Sequence, residues 1–160
     1  MMKLRDIHEF NPYSENELEL LNKYSTNIHN EILKEINGLS YDGYKRKMEL
    51  DILVKKYYYT KKDNEITNFI KVLIEKDTKI ASIYPSINIY DKNLIPEISN
   101  DLLNDDIEEV FVFIKKDNQK LLDDLLNDNF ISLRTDDDGG FIPLLKEKTY
   151  EDENKRSWKY

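Results

Sequence analysis

Moving a proton to or from an amine needs a carboxylate, an imidazole or a phenol held against it. This chain is rich in the first and last and poor in the second. Its two histidines, His8 and His29, stand far apart with no second histidine at metal-ligand spacing, so each reads as a surface or core residue. Glu108 and Glu109 come directly before an apolar run. A carboxylate there can serve as general base for an amine, and the plainer reading is a solvated charge at a strand edge. Tyr57-Tyr58-Tyr59 form a cluster that can line a ligand groove, although tyrosines more often straddle core and surface. Thr135 to Gly140 holds three Asp and two Gly, but it fails as a calcium loop. With Gly139 in the sixth position the first ligand would be Arg134 and the twelfth Leu145, so a hairpin turn is the better reading. There is no cysteine, which excludes disulfides, thiolate nucleophiles and Cys-ligated metals. No metal site, Ser-His-Asp order, phosphate loop or aromatic-plus-basic nucleic-acid surface stands out.

The elements that would position such groups are clearest in the last third. Val110 to Ile114 is an unbroken apolar run, which predicts a strand buried on both faces. Asp117 or Asn118 can cap the helix that follows, where Leu121, Leu122, Leu125 and Leu126 recur at helical spacing. Asn129 suits a left-handed stop. Phe130, Ile131 and Leu133 begin another strand. Asp138-Gly139 is a hairpin dipeptide, and Phe141 to Leu145 returns, with Pro143 placing it near a sheet edge.

Earlier, Leu4 to Ile7 is a short first strand. Ser14 and Glu17 make a capping box, with Tyr13 and Leu18 as its staple. Leu18, Leu21, Tyr24, Ile28, Ile32 and Ile36 form a helical stripe that Ser25-Thr26 can break and Gly38 ends. A second helix is expected over Tyr41 to Tyr58, with Tyr44, Met48, Ile52 and Leu53 inside; Tyr57 to Tyr59 either close it or open a strand. Lys61 to Glu65 is a polar turn. Phe69, Val72 and Ile74 mark a strand, Asp77-Thr78 a turn, and Ile80 to Tyr84 its partner. Ile87 to Tyr90 alternates as a half-buried strand. Leu94 to Leu103 is a helix with Pro96 in its first turn.

One hundred and sixty residues suit one domain, 1–149, followed by a polar tail, 150–160, whose Trp158 can pack back. The net charge of −8 argues against affinity for nucleic acid or anionic membrane. The N-terminus has no apolar signal core, and the longest apolar run is far short of a membrane span, so a cytoplasmic protein is expected. The bias to Lys, Asn, Ile and Tyr fits an AT-rich genome, as in a low-GC bacterium or its phage. Between Tyr41 and Lys62 seven Lys/Arg face three Asp/Glu; between Asp91 and Asp138 five face fourteen. These are either two solvated faces, or an acidic surface for a basic protein partner or an amine substrate.

The spacing of Asn118, Leu121, Leu125 and Phe130 resembles the C-terminal half of the GNAT N-acyltransferases. Asn118 and Phe130 match that pattern. Leu125 stands where the family's Tyr, often its general acid, would be, and Asn129 stands at its Gly. The order strand, helix, helix, three strands, helix, strand, helix, two strands is also the GNAT order. The resemblance implies an α/β fold with a mixed, mostly antiparallel sheet flanked by helices, the acyl-CoA N-acyltransferase fold. It implies acetyl transfer from acetyl-CoA to a small-molecule or protein amine. The main chain at Ile87 and Ile89 would face the acyl carrier, with Lys92 and Asn93 in the cofactor loop and Asn118 by the pantetheine arm. Tyr84 or Tyr90 would replace the missing proton donor, with Glu109 as the base. The family's glycine-bearing pyrophosphate loop corresponds here to Asp91 to Glu97, which has no glycine and only Lys92 as a cation. The alternative is therefore a non-catalytic relative that keeps the scaffold and binds protein through its acidic surface.

Overall fold

The computed structural model describes residues 7–85, 93–133 and 140–149. The elements run β1 (His8–Glu9), α1 (Glu15–Tyr24), α2 (Thr26–Glu35), α3 (Tyr41–Leu50), β2 (Leu53–Lys62), β3 (Glu65–Glu75), β4 (Ile80–Pro85), α4 (Leu94–Asn104), β5 (Glu109–Lys115), α5 (Gln119–Leu126), β6 (Ile131–Ser132) and β7 (Phe141–Glu147). The first helix is broken at Ser25 as anticipated, and the elements from β3 to β7 fall where they were expected, but β2 occupies part of the segment expected to be helical. Residues 4–6 of the expected first strand, the Ile87–Tyr90 strand, the Asp138-Gly139 turn and the tail lie outside the described residues.

Local chemistry accounts for most boundaries. Ser14 Oγ accepts from Glu17 N at 3.2 Å, Ser25 Oγ from Ile28 N at 3.2 Å and Asn118 Oδ1 from Leu121 N at 3.3 Å. Each satisfies a first-turn donor that has no partner within its own helix. The Ser14 box is not reciprocal, because Glu17 accepts instead from Asn11 N at 3.1 Å. The Tyr13 ring packs against Tyr41 and Tyr44 and its hydroxyl donates to Leu39 O at 2.8 Å. Asn129 takes the left-handed conformation, φ 71°. Asp63 and Asn64, both at positive φ, make the tight turn between β2 and β3.

The expected helix over Tyr41 to Tyr58 ends at Leu50, and Tyr57 to Tyr59 belong to β2. Lys76 Nζ donates to Met48 O and Glu49 O at 2.6 and 2.9 Å, stopping the helix at carbonyls with no partner further along it. The aromatic run beyond favours a strand, and a ladder from Leu53–Glu75 to Lys62–Glu65 fixes it. Ile52 and Leu53, expected inside, are 60 and 54% exposed.

The strands form one sheet in the order β1-β2-β3-β4-β5-β7-β6. Only β4 and β5 are parallel; the other pairings are antiparallel. One face carries Ile70, Val72, Ala81, Ile83, Val110, Val112, Ile114 and Leu144 under α4 and α5, with Leu121 and Leu125 among the buried residues there. The other face carries Tyr57, Tyr59 and Phe69 under α1 and α2, with Leu20, Leu21 and Ile32. That second cover stops at β3. Hence Phe111 and Phe113 are half-buried while Val110, Val112 and Ile114 are buried. The expected strand buried on both faces is buried on one, because among the described residues no helix reaches across β5 on the α1–α2 side. Pro143 sits in β7 between β5 and β6, not on the last strand. Its carbonyl accepts from Leu133 N, so its missing N–H also falls on the β6 side, where β6 has only two residues, and the β5 ladder is spared.

Candidate functional site

The parallel pair is where the sheet opens. β4 and β5 are in register from Ile80–Glu109 to Ile83–Val112. Both strands run on, to Pro85 and Lys115, with no further pairing between them among the described residues. Two parallel neighbours require the chain to return between them, and α4 is that return. Its N-terminus therefore opens at the C-terminal end of β4. Helix α5 starts just after β5, its cap Asn118 donating its N–H to Lys115 O at 3.0 Å, so its N-terminus opens at the same end. Helix N-termini carry partial positive charge and aim N–H groups outward, but at α4 Pro96 lacks an N–H and Glu97 stands in the first turn, both of which work against an anion there. At α4 the N-cap residue Asn93 makes no side-chain capping bond. Lys115 and Lys116 stand beside this end with Gly140 and Phe141.

On the α1–α2 side a cleft of about 420 Å³ meets this opening. Its walls are Glu31, Lys34 and Glu35 from α2 and Lys55, Tyr57, Lys71 and Tyr84 from the sheet. Tyr57, Lys71 and Tyr84 are register neighbours across β2, β3 and β4. The row continues into Phe113, whose ring stacks on Tyr84 at 5.1 Å and 8°. Lys71 Nζ lies 5.1 Å over the Tyr84 ring, a cation–π contact. Glu35 accepts from the Tyr57 hydroxyl at 3.1 Å on both oxygens and pairs with Lys55 at 2.7 Å. Burial raises the Tyr57 pKa, and the Glu35 charge and hydrogen bond raise it further. Tyr57 is thus a hydroxyl donor locked to α2 rather than an acid that ionises near neutrality.

Of the residues named from sequence, Tyr84 lies where β4 parts from β5 and faces the cleft. Asn93 and Asn118 stand at the N-cap positions of the two helices at that same end, and of the two only Asn118 makes a side-chain capping bond. Glu109 does not join them: it pairs with Ile80, at the opposite end of the parallel segment. Ile87, Ile89, Tyr90 and Lys92 lie outside the described residues. Sequence reasoning missed Glu31, Glu35 and Lys71. The one local signal was the helical spacing of Glu31 and Glu35, which matches any solvated helix face. Leu125, at the family's Tyr position, is fully buried in the core. Among the described residues no group of three or more His, Asp or Glu is placed to hold a metal. No described helix is long and apolar enough to cross a membrane.

No protein-family model matches the sequence, and no curated protein matches it. Solved structures do. The Campylobacter jejuni N-acetyltransferase PseH superposes with a TM-score of 0.59 at 20% identity, over 90% of this chain and 99% of that one. The spermidine N-acetyltransferase SpeG of Vibrio cholerae, in a mutant form, gives 0.60 at 8%, over 89 and 94%. The PaiA N-acetyltransferase of Thermoplasma acidophilum, solved with coenzyme A, gives 0.53 at 16%, over 88 and 98%. The element order, the parting of β4 from β5 and these whole-length likenesses together show that the chain has the GNAT acyl-CoA N-acyltransferase fold.

Proposed function

We propose that this protein is an N-acetyltransferase that moves an acetyl group from acetyl-CoA to an amine. The carrier would lie at the opening between β4 and β5, and the acceptor in the α2 cleft. One observation carries the reading: pairing stops after Ile83–Val112 at the end where two helix N-termini open, and the cleft meets that end at Tyr84. Two of the similar proteins support the co-substrate, since PseH was also solved with acetyl coenzyme A and PaiA with coenzyme A. SpeG, a spermidine acetyltransferase, supports an amine acceptor.

In such a transfer the amine nitrogen bonds to the acetyl carbon while the carbon–sulfur bond breaks. Starting from the ammonium, two protons leave nitrogen: one goes to a base and on to solvent before attack, and the other ends on the sulfur as the thiol departs. Glu31, whose charge no ion pair among the described residues offsets, draws the ammonium in and accepts its first proton. Tyr84 is the phenol at the mouth for the sulfur, with Tyr90 the other phenol named from sequence. Leu125 cannot take that part, being an alkyl group in the core.

Thermal melts with and without millimolar acetyl-CoA test the carrier site, since a ligand that binds only the folded state raises Tm. Thiol release from acetyl-CoA across an amine panel tests the transfer. A raised Tm with thiol release is expected. Neither a shift nor release would overturn the reading and leave a scaffold without catalysis.

A further inference from the structure

We propose that the acceptor is an amine that also carries an acidic group, a carboxylate or a phosphate, and that Lys71 holds that group. This rests on the acetyltransferase reading above. The cleft is a positive island on an acidic protein. The chain carries −8, yet Lys34, Lys55 and Lys71 line the cleft against Glu31 and Glu35, three lysines to two glutamates. Lys55 and Glu35 neutralise each other at 2.7 Å. That leaves Glu31 and Lys34 on the helical wall and Lys71 on the sheet floor, each without an ion-pair partner among the described residues.

Lys71 is built in rather than solvated. It is half-buried on β3, between its register neighbours Tyr57 and Tyr84, with its ammonium over the Tyr84 ring. An ammonium withdrawn from water without a counter-ion is unfavourable, and a ring face offsets only part of that. An acidic substituent on the ligand completes the site with a charge-assisted hydrogen bond. Glu31 on the opposite wall suits the ammonium end of the same molecule. A compact diamine would meet Lys71 with like charge, so a simple polyamine is disfavoured.

Matched acceptors test this: phosphoethanolamine with ethanolamine, β-alanine with propylamine, and putrescine as the dication, each with acetyl-CoA and thiol detection. At least one acid-bearing member should show a kcat/KM about tenfold or more above its neutral partner. The two pairs distinguish phosphate from carboxylate. Lys71→Met should abolish the preference through KM, with kcat and Tm little changed, and Lys71→Arg should restore most of it. Preference for the neutral members or putrescine overturns the proposal. So does no release from either acid-bearing member, or equal loss on both members in Lys71→Met. The Tm shift with acetyl-CoA alone separates the two failures. A shift with turnover but no acid preference overturns only this proposal; neither shift nor turnover overturns both.

Discussion

Replacing Glu35 by Ala tests whether one carboxylate pins α2 to the sheet and so sets the width of the cleft. The Tyr57 hydroxyl donates to both of its oxygens, and the Tyr57 residue is only 9% exposed. Leaving a buried hydroxyl without a partner costs about 1–3 kcal/mol. The cleft admits water that can replace part of the lost bond, which favours the lower half of that range. The Lys55 pair adds little, because its side chains are 42 and 35% exposed and such pairs contribute about 0–1 kcal/mol. The expected loss is therefore about 1–2 kcal/mol. For a domain of this size that lowers Tm by roughly 2–8 °C. Circular-dichroism melts of Glu35→Ala, Tyr57→Phe, Lys55→Met and the Glu35→Ala/Tyr57→Phe double variant make the assay. Lys55→Met should fall by the least. The double variant should lose about 1 kcal/mol less than the sum of its singles, because both remove one interaction. If Glu35→Ala melts no lower than Lys55→Met, or the two losses simply add, the contact does not hold α2 in place.

Leu125→Ala removes a fully buried side chain and should cost about 3 kcal/mol, a Tm fall of roughly 6–12 °C in the same melts. Tyr84→Phe keeps the stack on Phe113 and removes only the hydroxyl; in the proposed reaction kcat/KM should fall about 10²–10⁴-fold with Tm held, read by thiol release. Stability should fall in alkali. Burial first, then nearby carboxylates, push Tyr58 and Tyr59 up to about 12, so the unfolded chain loses those protons first. The stabilisation is intact below about pH 10 and is lost from there to about pH 12. Denaturant midpoints at pH 9 and pH 11.5 check it, and Tyr59→Phe should shrink the drop.

Features that act within one turn of chain were legible. Ser14, Ser25 and Asn118 cap helices because a short side-chain oxygen meets the next turn's N–H wherever the chain goes. Asn129 turns left-handed for an equally local reason. The elements from β3 onward followed from such stops and from the periodicity between them, but β2 did not, its first half having been read as helix. Two misreadings have a common cause. Ile52 and Leu53 sit at helical spacing from Met48, but pairing with β3 is decided twenty residues later. Val110 to Ile114 is apolar at every position, yet Phe111 and Phe113 are half-open because α1 and α2 end their cover at β3, a fact of topology. The site was less legible still. Tyr84 was named, and it does stand at the opening. Glu35, Tyr57 and Lys71 meet only after β2 and β3 pair, and nothing in their immediate neighbours distinguishes them from surface charges.

Among the described residues the ladder that joins the first four strands to the last three has four register pairs, Ile80–Glu109 through Ile83–Val112. The ladder between β2 and β3 has ten, and that between β5 and β7 has seven. The β4–β5 ladder is thus the shortest of the four central ladders, and one buried cluster beneath α4 and α5 spans it. A short ladder next to the slot beyond Ile83 and Val112 is the part of the sheet expected to open most readily. It also concentrates slow breathing in a handful of amides, where hydrogen exchange would report it.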